Sequence, residues 1–315
     1  MKKLIGKIFL FIAIISLVAS VSYNVNLWSF KKAGLQLCDT TGILMTGSSL
    51  VMQGLNPAYI DRSENVAIAA EPVVISFFKI RDILRNNPQI KKIITSCSLQ
   101  EITEQDAVFS GKRSVVQEMF TRLSFLQHPV TLNDLRLFEV DEPVYWEVYL
   151  RYRIFPNYFY IYRALKGDIK CNYEGLAYIS GFATRGDFNI RAEVFKLINV
   201  ERVVKAHFPE NNKEKMISKV SLNYIDSISS LCERKNIELI VVGMPVTHKL
   251  FERIPRYYID YYRNYISEMN KRIKCRYYDF MNAAPDEWFE DLIHLNELGA
   301  KNISIMLNDS IKNDK

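Results

Sequence analysis

Short apolar runs alternate with amphipathic stretches over two parts of the chain. The runs predict five strands, at residues 42–46, 65–70, 90–98, 237–245 and 275–280. Apolar residues at helical spacing predict helices at 71–87, 213–236, 256–274 and 296–312, with Asn296 as the N-cap of the last. Strands that alternate with helices over short connections favour an α/β fold, in which helices cover both faces of a parallel sheet.

The alternation is interrupted between about residues 104 and 210, which predicts an insertion or lid. Its centre, residues 138–167, is rich in aromatic side chains with arginines among them. Three interpretations stay open: a surface on which sugar rings stack, an interfacial patch against a bilayer, or the core of the insertion itself.

The N-terminus has the pattern of an export signal. An uncharged apolar run at residues 8–23 follows Lys2, Lys3 and Lys7. We predict an uncleaved membrane anchor over residues 1–30; the alternative is a cleaved signal peptide and a secreted protein. Basic residues on the short N-terminal side place the body, residues 40–315, outside the cytoplasm of a bacterial cell, in the periplasm or beyond.

Composition narrows the function classes. The chain has 315 residues, 49% of them hydrophobic, and 41 basic residues against 35 acidic ones, so we expect no nucleic-acid partner. The five cysteines are widely spaced, without a C-x-x-C pair: Cys38, Cys97, Cys171, Cys232 and Cys275. This spacing argues against a zinc cluster and a disulfide scaffold, and the odd number leaves at least one free thiol. We expect neither a metal nor an organic cofactor.

Small polar residues follow the first predicted strand, where "GSS" occupies positions 47–49. In parallel sheets the functional crevice lies at the carboxyl ends of the strands. A serine nucleophile needs a base, a group that orients the base and donors for the oxyanion. Of the four histidines, His128 and His207 fall in the interrupted region, where we expect surface or capping roles. His248 follows the fourth strand and can line the site, but as a base it lacks a local acidic partner.

His294 is the favoured base because Asp291 precedes it by three residues. That spacing can bring a carboxylate to the ring nitrogen that faces away from the serine. The pair alone predicts no more than a surface turn, since D-x-x-H is common by chance. Its position after the last strand places it at the same sheet edge as the "GSS" stretch.

These two stretches resemble the motifs of the SGNH (GDSL-like) hydrolase and acyltransferase superfamily. "GSSLVMQG" at 47–54 is similar to the family's nucleophile motif, G-D-S, with Ser48 in place of the aspartate, and "DLIH" at 291–294 is similar to its D-x-x-H. The membrane-anchored branch associated with envelope-polysaccharide O-acylation is the most similar. The resemblance covers about residues 40–108 and 212–312.

The resemblance implies a three-layer α/β/α flavodoxin-like fold with about five parallel strands. It also implies that Ser49 is the nucleophile, His294 the base and Asp291 its orienting partner. Ser48 is the alternative nucleophile, and Gly47 permits the sharp turn that exposes Ser49.

The oxyanion donors depart from the family pattern. Members usually offer a glycine after the second strand and an asparagine after the third, besides the nucleophile's own N–H. Here the candidates are backbone N–H groups of Ser49, Ala69 or Ala70, and the side chains of Ser98 or Gln100. Loss of one such donor typically costs roughly 10²–10³ in rate.

The resemblance therefore implies an exported serine esterase or O-acyltransferase that acts through an acyl-Ser49 intermediate. Its expected partners are a carbohydrate or acylated envelope glycan, the membrane through the N-terminal helix, and a membrane acyl-donor protein. The alternative is a non-catalytic glycan-binding or assembly protein that keeps the fold.

Overall fold

The structure is a computed structural model. It describes residues 2–33, 37–102, 112–123, 130–154, 161–162, 165, 199–208 and 218–313. The chain divides into two compact units, one formed by Leu37–Ala107 and Lys170–Lys315, the other by Met1–Gln36 and Val108–Ile169. The domain boundaries expected from the sequence stay predictions.

The larger unit contains one sheet of five parallel strands. These are β1 (Ile43–Thr46), β2 (Ser63–Asn65), β3 (Lys92–Ser96), β4 (Glu238–Gly243) and β5 (Cys275–Asp279). Their order is β2-β1-β3-β4-β5, with every neighbouring pair parallel. This flavodoxin-like order changes direction between β1 and β3, where the ligand crevice of such sheets lies. The predicted α/β class and parallel sheet are confirmed.

The helices of this unit are α2 (Ser49–Gly54), α3 (Val73–Asn86), α4 (Leu99–Ile102), α7 (Val200–His207), α8 (Lys219–Arg234), α9 (His248–Phe251), α10 (Arg256–Arg272) and α11 (Glu297–Asn313). The other unit contains α1 (Lys2–Ala33), α5 (Lys112–Leu123) and α6 (Glu142–Ile154). Asn296 caps α11 as predicted, since its Oδ1 accepts the N–H of Gly299 at 2.9 Å.

Helices cover both faces of the sheet. Ile43 and Met45 of β1 belong to a buried cluster with apolar residues of α2 and α11, whereas Leu44 between them is also fully buried but lies outside it. Because successive strand residues point to opposite faces, Leu44 faces the other helical layer. There α8 packs on α3, and the rings of Phe77 and Tyr224 lie 5.4 Å apart. The result is a three-layer α/β/α fold.

The second strand lies earlier than predicted, at Ser63–Asn65 instead of 65–70. Its polar side chains are tied down locally: Asn65 Nδ2 donates to the carbonyls of Val51 and Leu55 at 2.9 and 2.8 Å. The apolar run that follows continues beside β1, where the N–H of Val66 donates to Met45 O at 2.9 Å. The edge strand β2 is therefore polar, and the apolar run that led to the prediction lies just after it.

The smaller unit contains a candidate membrane span. Lys3–Ser29 of α1 has 27 residues, and its most apolar window has a mean hydropathy of 2.5 with none of it buried. Near the end of α1, the buried Asn26 donates through Nδ2 to Arg153 O of α6 at 2.8 Å. This helix is long and apolar enough to be a membrane anchor or a signal peptide.

Aromatic rings of α5 and α6 pack on one another. The buried Tyr145 has its ring centroid 5.9 Å from Phe120 and 5.8 Å from Tyr149, while Trp146 is exposed. For Tyr145 the core interpretation of the aromatic region is confirmed. Stacking on sugars and contact with a bilayer stay predictions, and residues 155–160 lie outside the described part of the chain.

The cysteines in the described part of the chain are in two states. Cys97, Cys232 and Cys275 are free thiols, which confirms the expected free thiol, and Cys38 is disulfide-bonded. Burial raises the pKa of the Cys232 thiol to about 12, which keeps it protonated and unreactive.

Candidate active site

The chain turns sharply between β1 and α2. Gly47 has a φ of 145°, and a Cβ at this position would lie 2.8 Å from Val51 Cγ2 and 3.0 Å from Ser96 Oγ. A larger residue is therefore strained in both conformation and space. Ser48 caps α2, and Ser49 is the first residue of that helix. The turn places Ser49 at the carboxyl edge of the sheet.

Ser49, His294 and Asp291 are hydrogen-bonded in series. Ser49 Oγ lies 2.9 Å from His294 Nε2, and His294 Nδ1 lies 2.7 Å from Asp291 Oδ2. Because a carboxylate accepts at Nδ1, that nitrogen carries the proton, and Nε2 accepts from the serine hydroxyl. The His294 and Asp291 side chains are 20% and 36% exposed, so both reach solvent. We predicted from the sequence that these three side chains meet at one edge of the sheet, and the structure brings them into contact. Their catalytic roles stay predictions.

A tight loop between β5 and α11 holds Asp291 and His294. Phe289 and Leu295 form an antiparallel bridge at its base and are buried. Asp291 Oδ1 accepts the N–H groups of Ile293 and His294 at 2.8 and 2.7 Å, so one carboxylate oxygen shapes the loop while the other meets the imidazole.

The loop after β4 supports it from the side. The N–H of Thr247 donates to Leu292 O at 3.1 Å. The next residue, His248, begins α9; its N–H donates to Asp286 Oδ1 at 2.7 Å and its Nδ1 lies 3.6 Å from the same oxygen. Asp286 is the acidic neighbour that the sequence around His248 did not predict.

Three titratable groups near His294 have shifted pKa values. Burial would raise the pKa of Asp291, but hydrogen bonds from the His294 ring and from the N–H groups of Ile293 and His294 hold it below its ordinary value. Burial raises the pKa of Glu290 to about 7, with Asp291 adding to the rise and His294 opposing it. Burial, and then the charge that His294 carries when protonated, lower the pKa of His207.

Ser48 points away from His294. Its hydroxyl is buried and donates to Glu101 Oε1 at 2.6 Å, and its oxygen accepts the N–H of Leu50 at 3.3 Å. Of the two adjacent serines, Ser49 is therefore the one whose hydroxyl meets the base.

The candidate oxyanion donors differ in placement. As the first residue of α2, Ser49 has an N–H with no acceptor inside that helix. The loop with Ala69 and Ala70 starts beside Gly47, since the N–H of Ile68 donates to Gly47 O at 3.1 Å. Ala70 has a φ of 51°, a conformation that favours glycine, in the loop where the resemblance led us to expect one.

The two side-chain candidates lie after β3. Ser98 is fully buried, and its Oγ accepts the N–H of Met244 at 2.9 Å, which ties the ends of β3 and β4 together. Gln100 is buried in α4. A fully buried hydroxyl is poorly placed to meet a substrate, so the structure favours the backbone candidates.

Three residues near the triad escaped the sequence reasoning: Glu101, Glu290 and His207. His207, for which a surface or capping role was expected, is half-buried in the last turn of α7, and His128 lies outside the described residues. "SLQE" at 98–101 has the S-x-x-E pattern of a capping box, which was the available signal for Glu101. No local pattern marked the other two.

Glu290, Asp291 and His294 also place ligand atoms within 4.8 Å of one another, a spacing that a metal ion can use. However, both His294 ring nitrogens are already engaged, one by Ser49 and one by Asp291. Metal binding there would break the series, so the donor set fits proton transfer better.

Comparisons with known proteins add little to this geometry. A family model without a functional description matches residues 174–315, which is less than half of the chain. No curated protein and no solved structure matches the chain significantly. The matched segment contains Asp291 and His294 but leaves out Ser49.

Proposed function

We propose that the protein is an SGNH-like serine esterase or O-acyltransferase that acts on a cell-envelope or exported glycan. The observation that supports it most is the series of hydrogen bonds from Ser49 through His294 to Asp291, with heavy-atom distances of 2.9 and 2.7 Å. Ser49 follows β1 at the carboxyl edge of the parallel sheet, which is where the functional sites of such folds occur.

In the first half-reaction Ser49 Oγ attacks the acyl carbonyl and its proton passes to His294 Nε2. Asp291 stabilises the resulting imidazolium through Nδ1–H, and the N–H of Ser49 with that of Ala69 or Ala70 would stabilise the oxyanion. The imidazolium then protonates the leaving oxygen, which leaves acyl-Ser49. In the second half, water or a sugar hydroxyl gives its proton to His294 Nε2 and attacks the acyl group. The imidazolium then returns that proton to Ser49 Oγ as the acyl–serine bond breaks, which restores both residues.

Export and anchoring belong to the same proposal. Basic residues at the start of α1, before its apolar run, favour an N-terminus in the cytoplasm and a body outside it. A disulfide-bonded Cys38 fits an oxidising compartment. Protease added to intact cells should degrade the body of a tagged protein once any outer membrane is opened. A body protected until the inner membrane is lysed would contradict this orientation.

Assays of ester hydrolysis and of glycan acylation test the proposed reaction. Full-length protein in detergent should release nitrophenol from p-nitrophenyl acetate, and Ser49→Ala should abolish the release while Ser48→Ala retains measurable activity. Adding an envelope glycan separates the two reactions, because an O-acyltransferase acetylates the glycan and an esterase releases acetate. A wild-type protein that turns over no ester and acylates no glycan would support the non-catalytic alternative.

A further inference from the structure

One buried carboxylate joins the nucleophile turn to the loop after β3. Glu101 is 6% exposed, and its Oε1 accepts from Ser48 Oγ at 2.6 Å and from Ser96 Oγ at 2.7 Å. Its Oε2 accepts the N–H of Ser98 at 2.9 Å. These three donors come from both sides of the β1–β3 switch point, so both oxygens of the buried carboxyl group are hydrogen-bonded.

Helix capping explains only one of these three contacts. The bond from Ser98 N–H to Oε2 is the reach-back contact of a capping box and stabilises the start of α4. Oε1 instead extends to Ser48, which lies 53 positions earlier in the chain. Local stabilisation of a four-residue helix gives no reason for that second contact.

The contact with Ser48 determines the geometry next to Ser49. Because the Ser48 hydroxyl donates its proton to Glu101, its lone pairs are left for the N–H of Leu50, the acceptor geometry of an N-cap. The cap begins α2 at Ser49, whose hydroxyl then meets His294 Nε2 at 2.9 Å. A glycine at φ 145° on the other side of Ser48 supplies no restraint of its own.

We propose that Glu101 is a positioning residue that holds the Gly47–Ser48–Ser49 turn in register with His294 through the Ser48 hydroxyl. Glu101 does not touch the reacting atoms in this role. The role rests on the proposed function, because it is expressed in the reactivity of Ser49.

Glu101→Gln is the principal variant. An amide offers one acceptor oxygen instead of two, so either the two hydroxyls or the Ser98 N–H loses its acceptor. Since small displacements of a nucleophile are costly, we expect kcat for p-nitrophenyl acetate to fall about 10–100-fold with KM within about twofold. Ser48→Ala removes only the hydroxyl, and loss of this N-cap should cost about 1 kcal/mol, so we expect a folded protein whose kcat is lowered in the same way.

The double variant and a matched control separate positioning from stability. Ser48→Ala combined with Glu101→Gln should be no slower than Glu101→Gln alone, because the two residues act as one unit. Glu64→Gln is the control. Glu64 is also a buried carboxylate, and it accepts the N–H of Cys38 at 2.7 Å and the hydroxyl of Thr41. Glu64 lies in the edge strand β2, and both donors precede β1, whereas Ser49 follows β1. The Glu64→Gln variant should lose thermal stability and keep kcat.

The outcomes are distinguishable. A wild-type protein that is inert overturns the proposed function and this role with it. An active wild type overturns the role alone if Glu101→Gln keeps its kcat, if it loses no more than Glu64→Gln does, or if the losses in the double variant multiply. Support requires a loss in kcat that Ser48→Ala and Glu101→Gln share.

Discussion

Ala70 holds a backbone conformation that is unfavourable for a residue with a Cβ. Its φ is 51°, and the left-handed region costs such a residue about 1–2 kcal/mol. Ala70→Gly should therefore raise the free energy of unfolding by about 0.5–1 kcal/mol, after the entropy cost of glycine. Ala69→Gly, next to it and without a positive φ, should lower it by a similar amount. Urea unfolding of the two variants measures both, and changes of the same sign would contradict the assignment.

Glu290 makes stability depend on pH. Its folded-state pKa is raised from 4.5 to about 7, so below about pH 4.5 the carboxyl is protonated in both states and costs nothing. Between these values the unfolded chain loses the proton first, and the stability of the folded protein falls as pH rises. Glu290→Gln should remove this loss of stability. The stability of the variant relative to the wild type should therefore increase from pH 5 to pH 8.

Melting temperatures across this range measure the gain. Glu287→Gln is the matched control, because that carboxyl lies three residues away and is exposed. It should follow the wild-type curve. A Glu290→Gln curve parallel to the wild type at every pH would show that Glu290 does not ionise within this window.

At the scale of elements, α3 stabilises the loop that carries Ala69 and Ala70. Lys79 Nζ donates to Val66 O at 2.6 Å and to Glu71 Oε2 at 2.5 Å, and both side chains of this ion pair are fully buried. Ser76 of the same helix donates to Glu71 Oε1 at 2.5 Å. The pair thus fixes both ends of the loop between β2 and α3.

Removing one partner of this ion pair leaves a buried charge uncompensated. Lys79→Met should lower the free energy of unfolding by about 3–5 kcal/mol, and Lys79→Met with Glu71→Gln should lose less because the charge is gone as well. Lys271→Met, which breaks an exposed pair with Glu268 on α10, should leave the urea midpoint unchanged. A single variant no less stable than the double would contradict this account.

The whole molecule shows which features a sequence pattern predicts. The strands β1, β3 and β4 were predicted because each contains an apolar run between loops, and β5 because two tyrosines follow a predicted helix. The strand β2 was misplaced because its residues are polar and bonded by side chains. Asp291 and His294 were found because three residues of spacing suffice for their contact. Glu101 was not predicted as a site residue because its contact with Ser48 joins distant parts of the chain. Likewise, the grouping of α1 with residues 108–169 depends on packing that no periodicity shows.

Covalent acylation of Ser49 tests the central claim most directly. Full-length protein is mixed with p-nitrophenyl acetate, quenched in acid within the first turnover, digested and analysed by mass spectrometry. The account predicts acetyl on Ser49 in the wild type and in Ser48→Ala, and none in Ser49→Ala or His294→Gln. Acetyl found on Ser48, or an ester hydrolysed equally well by Ser49→Ala, would contradict it.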